Sequence, residues 1–295
     1  MTVTQSRALA RDYGVYAALL VLILVNLIFT HGFLSSDNLR SQAEQLVPVV
    51  VVALGMALVV GTGGIDASAG SIIALTVVLL PVLRPYGSVV AILLCLVVGV
   101  LAGLVSGSLV AVLGLPPIVA TLAVLVGVRG LAVLLASGTF DSAPPPLGGV
   151  GIAVGLALVV AFMVDRTTYG HQLKAVGVSR SASLHTGLPV RRVLVTTYVL
   201  SGLLAAVAGL LTTPVTPGPV RTGEMVPLSA ITAVAVGGTP LAGGHVRILA
   251  TTAGALVTQL VIATLAGNGV PAPVAQMAQA VVLVVVLSVQ RGGMS

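Results

Sequence analysis

The chain has 295 residues, 57% of them hydrophobic and only 7% charged, with a mean hydropathy of +1.18; so little polar surface cannot coat a domain in water. This excludes a soluble globular protein and points to an integral membrane protein, in which the net charge of +6 reports topology and not affinity for nucleic acid. Apolar runs of membrane-spanning length, with 35 Gly and 16 Pro, fit a helical bundle and not the alternating strands of a barrel. The predicted fold class is all-α, a polytopic membrane protein.

In chain order, Met1 to Asp12 carries Arg7 and Arg11 and leads into an apolar run from Tyr13 to Thr30. Without a small-residue cleavage site followed by a soluble body, this run reads as a retained first span. Further spans are predicted near 43–61, 68–83, 88–112, 116–136, 150–164, 193–213, 226–242, 247–267 and 273–290, the first covering 13–31. Ten spans place both termini on one side. With the Arg7 end inside, Arg7, Arg11, Arg166, Lys174, Arg180, Arg191, Arg192, Arg247 and Arg291 are cytoplasmic, whereas Arg40, Arg84 and Arg221 lie outside. That bias obeys the positive-inside rule and predicts a multi-pass plasma (inner) membrane protein with cytoplasmic termini. The pieces around Gly61 to Gly70 and Gly237 to Gly244 read as possible half-helices. The whole chain, 1–295, is one transmembrane domain, and its one long polar stretch, 165–192, faces the cytoplasm. Spans 2–5 and 7–10 are offset by five, the arrangement of an inverted repeat.

Several chemistries find no footing. The only lysine, Lys174, stands between Leu173 and Ala175, so no phosphate-binding Gly-Lys-Ser/Thr turn exists and any ATP chemistry must belong to another chain. The seven acidic residues lie mostly at span ends and form no paired-carboxylate cluster for proton coupling. His31, His171, His185 and His245 are dispersed near interfaces and read as solvated. Cys95 sits alone in an apolar run, which leaves no intramolecular disulfide or multi-cysteine metal site, and it reads as packing.

Two residues are expensive in a membrane. Asp66 lies between glycine turns at the start of a span, where an intramembrane charge costs about 2.5–3.5 kcal/mol on insertion scales. It reads as an N-cap alongside Ser68 or Ser71. A second reading coexists with it: Gly63 and Gly64 break the helix and present amides and a positive dipole end to a polar solute. Arg129, within the fifth span, is placed to pair with Asp66 or Asp141, or to cap carbonyls at a helix break. Gly237-Gly238 and Gly243-Gly244 read as close packing or bends, with a pathway-lining role as the alternative.

Ala53 to Leu75, reading ALGMALVVGTGGIDASAGSIIAL, closely resembles the signature of ribose-type sugar ABC transporter permeases, relatives of the branched-chain amino acid permeases. LPPIVATL at 115–122 with Val128-Arg129-Gly130, YVLSGLLAAVAG at 198–209 and AVGGTPLAGG at 235–244 match in the same order. The resemblance spans nearly the whole chain. It implies a non-enzymatic permease subunit forming half of a translocation pathway. Its partners would be two cytoplasmic ATPase subunits that bind ATP and Mg, an extracytoplasmic solute-binding protein and a second permease protomer. No cofactor is expected on this chain itself.

The resemblance also implies that 165–192 docks a short helix on the ATPase, through Gly177, Arg180, Ala182 and Gly187. Here the chain departs from the pattern. Ser179 and Ser181 stand where the family has Asn and Glu, and Ser183 replaces an Ala; pairing with a more typical permease and simple drift both account for this. Only 3% of residues are aromatic and none is Trp, fewer than a sugar-stacking site uses, but recognition would belong to the solute-binding protein. Gly-Gly-Ile-Asp and Leu-Pro-Pro-Ile favour a monosaccharide. Branched-chain amino acids or nucleosides are the alternative solutes, and a stand-alone secondary carrier is the alternative mechanism. A membrane-bound enzyme would need a convergent site that these residues do not supply.

Overall fold

A computed structural model describes residues 3–30, 32–136, 149–212 and 221–292. Among these the helices are α1 (Val3–Phe29), α2 (Ser36–Gly61), α3 (Ala69–Leu83), α4 (Ser88–Ala111), α5 (Pro117–Leu135), α6 (Gly149–Arg166), α7 (Thr168–Val178), α8 (Arg180–His185), α9 (Val190–Leu210), α10 (Val226–Val236), α11 (Ile248–Gly267) and α12 (Ala272–Gly292). Seven are long and apolar enough to cross a membrane: α2, α3 continued to Tyr86, α4, α5, α6, α9 and α11. Shorter apolar stretches lie in α1, α10 and α12, so the ten apolar elements coincide with the ten predicted spans.

The boundaries shift for local reasons. α2 begins at Ser36 because Ser35 caps it, its hydroxyl accepting from the Asn38 amide at 3.4 Å, and Arg40 pairs with Glu44 at 3.0 Å one turn on. The predicted eighth span stops early, at Val236: Gly237 and Gly238 end it, and Gly238 takes a φ of +76°. At 11 residues, α10 is about 16 Å long, roughly half the ~30 Å hydrocarbon thickness.

The core runs along α2, which is buried at every position from Val47 to Gly61, as a helix apolar all round must be. α9 packs on α2. Around this pair, α3 and α4 pack on α9 while α10 and α11 pack on α2; α3 meets α4 and α5, α10 meets α11 and α12, and the pairs α4–α5 and α11–α12 also touch. Exchanging α2, α3, α4 and α5 for α9, α10, α11 and α12 turns each of these contacts into another that is present. Five candidate spans, α2 to α6, precede α9, the odd number that an inverted repeat requires.

Close backbone packing holds the halves together. Gly99, Gly103 and Gly107 recur every fourth residue on α4, and a Cβ at any of them would strike α9: at Gly99 it would sit 2.5 Å from the Gly202 carbonyl oxygen, and at Gly103 it would collide with that of Tyr198. Small residues that admit backbone to backbone are how helices associate in lipid. Cys95 is buried in the same helix with its thiol 3.9 Å from the Thr76 carbonyl.

Candidate functional site

After α2 ends, Gly63 turns the chain with a φ of +75°, a conformation glycine adopts without cost. The segment 64–68 then climbs back into the bundle. Asp66 reaches Ser201 of α9, and Ser201 packs on Gly55, where a Cβ would lie 3.0 Å from the Ser201 Cα. Gly55 precedes the end of α2 by six residues, so Asp66 lies about 9 Å inside that end.

Asp66 is fully buried and each of its oxygens is used. Oδ1 accepts from the Ser68 amide at 2.9 Å and the Ser68 hydroxyl at 2.5 Å, and Oδ2 accepts from the Ser201 hydroxyl at 2.7 Å. The carboxylate thus holds the amide and hydroxyl of Ser68, the residue before α3; the N-cap position is Ser68 itself, which makes no side-chain capping bond, so Asp66 is not the N-cap expected from the sequence. The carboxylate also ties the start of α3 to α9. Ser71 donates its hydroxyl to the Ser68 carbonyl at 2.7 Å. Thr121 of α5 accepts from the Ala67 amide at 3.2 Å and has the Ile65 carbonyl within 3.1 Å, holding the segment from its other side.

The start of α10 meets the start of α3. A Cβ on Gly70 would lie 2.6 Å from the Gly223 carbonyl oxygen and 3.0 Å from Pro227, and Thr222 beside them is buried. α3 and α10 therefore bring their N-termini together inside the bundle. Both carry a positive dipole end there, while the Ser68 amide is taken by Asp66, the Ser71 and Ile72 amides by the Ser68 carbonyl and the Val226 amide by the Gly223 carbonyl.

Arg129 does not pair with Asp66. Its Nη1 lies 3.8 Å from Glu224 just before α10, and Glu224 also stands 3.8 Å from Arg221. The Asp66 carboxylate is taken by serines, which removes its need for a cation. Asp141, the other predicted partner, lies outside the described residues. Gly237 packs against α11, a Cβ there falling 2.6 Å from the Ala250 carbonyl, and Gly238 makes the turn that follows.

At the end where α2 stops, the connection after α10 and the segment 167–189 converge. The Gly244 amide donates to the Gly61 carbonyl at 2.9 Å, and a Cβ on Gly243 would lie 2.7 Å from the Gly63 nitrogen. Thr167 caps α7, and Ser179 both ends α7 and caps α8 through the Ala182 amide at 3.2 Å. Gly177, half-buried near that kink, has no room for a Cβ: it would collide with the Gly61 oxygen and the Gly244 nitrogen. Arg180 Nη2 donates to the Thr62 carbonyl at 3.4 Å. Tyr169 shares a 2.8 Å hydrogen bond with Thr197 of α9, and burial pushes its phenol up to about 12 although that bond pulls the other way. Ala182, Leu184 and Gly187 are exposed. Among the described residues no group of three His, Cys, Asp or Glu gathers for a metal.

Sequence reasoning missed Ser201, Thr121 and Glu224. Ser201 and Thr121 fall inside two of the matched motifs, which was the available signal; Glu224 had none.

The family described as "Branched-chain amino acid transport system / permease component" matches residues 142–287. The fructose import permease of Bifidobacterium longum is 32% identical over 92% of this chain and 85% of its own. The galactofuranose transporter permease of Escherichia coli is 35% identical over 93% and 87%, and the ribose import permease of Bacillus subtilis 31% over 83% and 81%. No solved structure matches the chain. A bundle of apolar helices with an internal repeat, aligned nearly end to end with sugar permeases, belongs to the monosaccharide-import permeases of the ABC transporters: a multi-pass plasma-membrane subunit, not an enzyme, in a family whose ATPase and solute-binding protein are separate chains.

Proposed function

We propose that this chain forms half of the pathway by which a monosaccharide, or a similar small neutral polyol, crosses the membrane, the other half being a second permease protomer. The observation that carries the reading is the meeting of the α3 and α10 N-termini inside the bundle. The two positive dipole ends favour a solute's hydroxyl oxygens at the depth where a transporter must hold its solute. Gly63, Gly64, Asp66, Ser68 and Ser71 shape the α3 side of that meeting point, and Arg129 with Glu224 borders the α10 side. The end carrying α7 and α8 is cytoplasmic, as are both termini, and residues 165–192 meet the ATPase, which binds ATP and Mg.

The test is purification of the chain from its native membrane in mild detergent, identification of what accompanies it, and reconstitution of that complex in proteoliposomes. Uptake of radiolabelled D-ribose, D-fructose and D-galactose is measured against L-leucine and adenosine. ATP-dependent uptake of one of the sugars is expected. The family description naming branched-chain amino acids favours leucine as the second reading, and leucine uptake without sugar uptake would replace the first. Uptake without any ATPase would overturn the ABC assignment itself.

A further inference from the structure

The α7–α8 hairpin follows α6, and the six residues between α1 and α2 leave no room for a counterpart in the other half. Among the described residues this one loop lies against both repeats. We infer that Gly177 and Arg180 are the positioning residues that couple this loop to both repeats at once, and that they do so from inside the protein and not at the ATPase surface. The inference rests on the permease reading above and assigns these residues a different partner from the one implied by the family resemblance.

The geometry is specific. Gly177 lies against the Gly61 carbonyl, where the first repeat leaves α2, and against the Gly244 amide, in the connection between α10 and α11 of the second. Those two groups are hydrogen-bonded to each other at 2.9 Å, so the three glycines form one backbone-to-backbone contact. Arg180 adds an anchor on the first repeat through Thr62 at 3.4 Å. Val178 adds one on the second: a Cβ on Gly244 would lie 2.7 Å from its Cγ2. From Gly61 the chain needs only five residues to reach Asp66 and eight to reach Ala69, the α3 start, so displacement of the hairpin is delivered directly to the segment that ends at the meeting point of α3 and α10. Packed backbone transmits such a shift because it has no soft side chain to absorb it. Ala182, Leu184 and Gly187 face away from all this, and a Cβ at Gly187 would meet nothing; they remain for the ATPase.

The hairpin thus divides into an inward, transmitting set and an outward, docking set, and the two are separable. The experiment uses the whole complex purified from its membrane and reconstituted, with radiolabelled D-ribose, D-fructose and D-galactose as probes. For Gly177→Ala the ATPase subunit is expected to co-purify at the wild-type ratio and ATP to be hydrolysed. Sugar taken up per ATP should fall about fivefold or more, the lower end of ordinary inter-site coupling. Arg180→Gln should move the same ratio in the same direction, and Arg180→Lys, which keeps a donor, should restore most of it. Leu184→Asp should instead release the ATPase. Wild-type uptake per ATP in both Gly177→Ala and Arg180→Gln overturns the inference, as does loss of the ATPase subunit from both. If Gly177→Ala does not reach the membrane, Arg180→Gln and Arg180→Lys decide alone. Failure of the wild-type complex to import any sugar would strike the permease reading, a different result from wild-type import that the variants leave intact.

Discussion

Two places in this molecule are made of glycines pressed against backbone, and they are built differently. Along the α4–α9 seam, Gly99, Gly103 and Gly107 are helical residues in one straight row, and Gly202 returns the contact from α9. At the Gly61–Gly177–Gly244 junction, three segments distant in sequence meet near turns, and Gly63, Gly243 and Gly244 all have positive φ. The seam joins regular helices over a long face, so its parts can only move as one body. The junction joins ends and connections, whose dihedrals can change without unpacking a helix. Glycine is needed for space in the first and for both space and conformation in the second.

The largest expected effect comes from breaking the seam. Gly103→Leu forces α4 off the Tyr198 carbonyl and should cost about 3 kcal/mol or more, lowering the thermal midpoint in detergent and removing uptake and ATPase association together. Junction variants should separate those two readouts; if Gly103→Leu separated them as well, the distinction between fixed and moving glycines would fail. Next comes Asp66, which anchors the segment the junction moves. Asp66→Leu strands the Ser68 amide and the Ser68 and Ser201 hydroxyls, at roughly 1–3 kcal/mol for each buried group left unpaired, and should abolish uptake. Asp66→Asn keeps one accepting oxygen and offers Ser201 a donor, so a loss of only about 1 kcal/mol is expected, with uptake reduced and not abolished. Equal damage from the two variants would show that the charge matters beyond its hydrogen bonds.

Smaller still is Thr121→Val, which frees the Ala67 amide on the α5 side and should lower stability by about 1 kcal/mol; an unchanged midpoint would mean that Asp66 alone holds the segment. The smallest effect belongs to Tyr169, which ties α7 to α9. Tyr169→Phe should cost about 1 kcal/mol or less. Its titration gives a sharper signature: a folded-state phenol near 12 against an ordinary 10 contributes stability that is complete below pH 10 and disappears as pH rises through 12. Wild type should lose stability over that window more steeply than Tyr169→Phe, and the two should run parallel from pH 6 to 9.

Much of this was legible in the sequence. Ten apolar segments were located, because apolar length against bilayer thickness is a strong local signal, although α2 begins at Ser36 and α10 ends at Val236, well away from the expected 43 and 242. Asp66 was read as an N-cap from its place between glycine turns at the start of a span; it does bind the Ser68 amide, but the N-cap of α3 is Ser68 itself. The pairing of Arg129 was not legible: Glu224 is 95 positions away in the chain, and no local pattern links them. The double role of Gly177 was equally invisible, since its motif position suggested a surface and only packing turned it inward.

Composition and periodicity by themselves fixed a membrane-embedded all-α chain, its number of apolar helices and the places where glycine breaks them, because those properties depend on residues close together and on the thickness of lipid. Only the tertiary structure decided that α3 and α10 meet at their N-termini, that two serines satisfy Asp66, and that one hairpin touches both repeats. Each of these is a contact between segments far apart in sequence, chosen by which backbones can approach, and that choice is made when the helices pack.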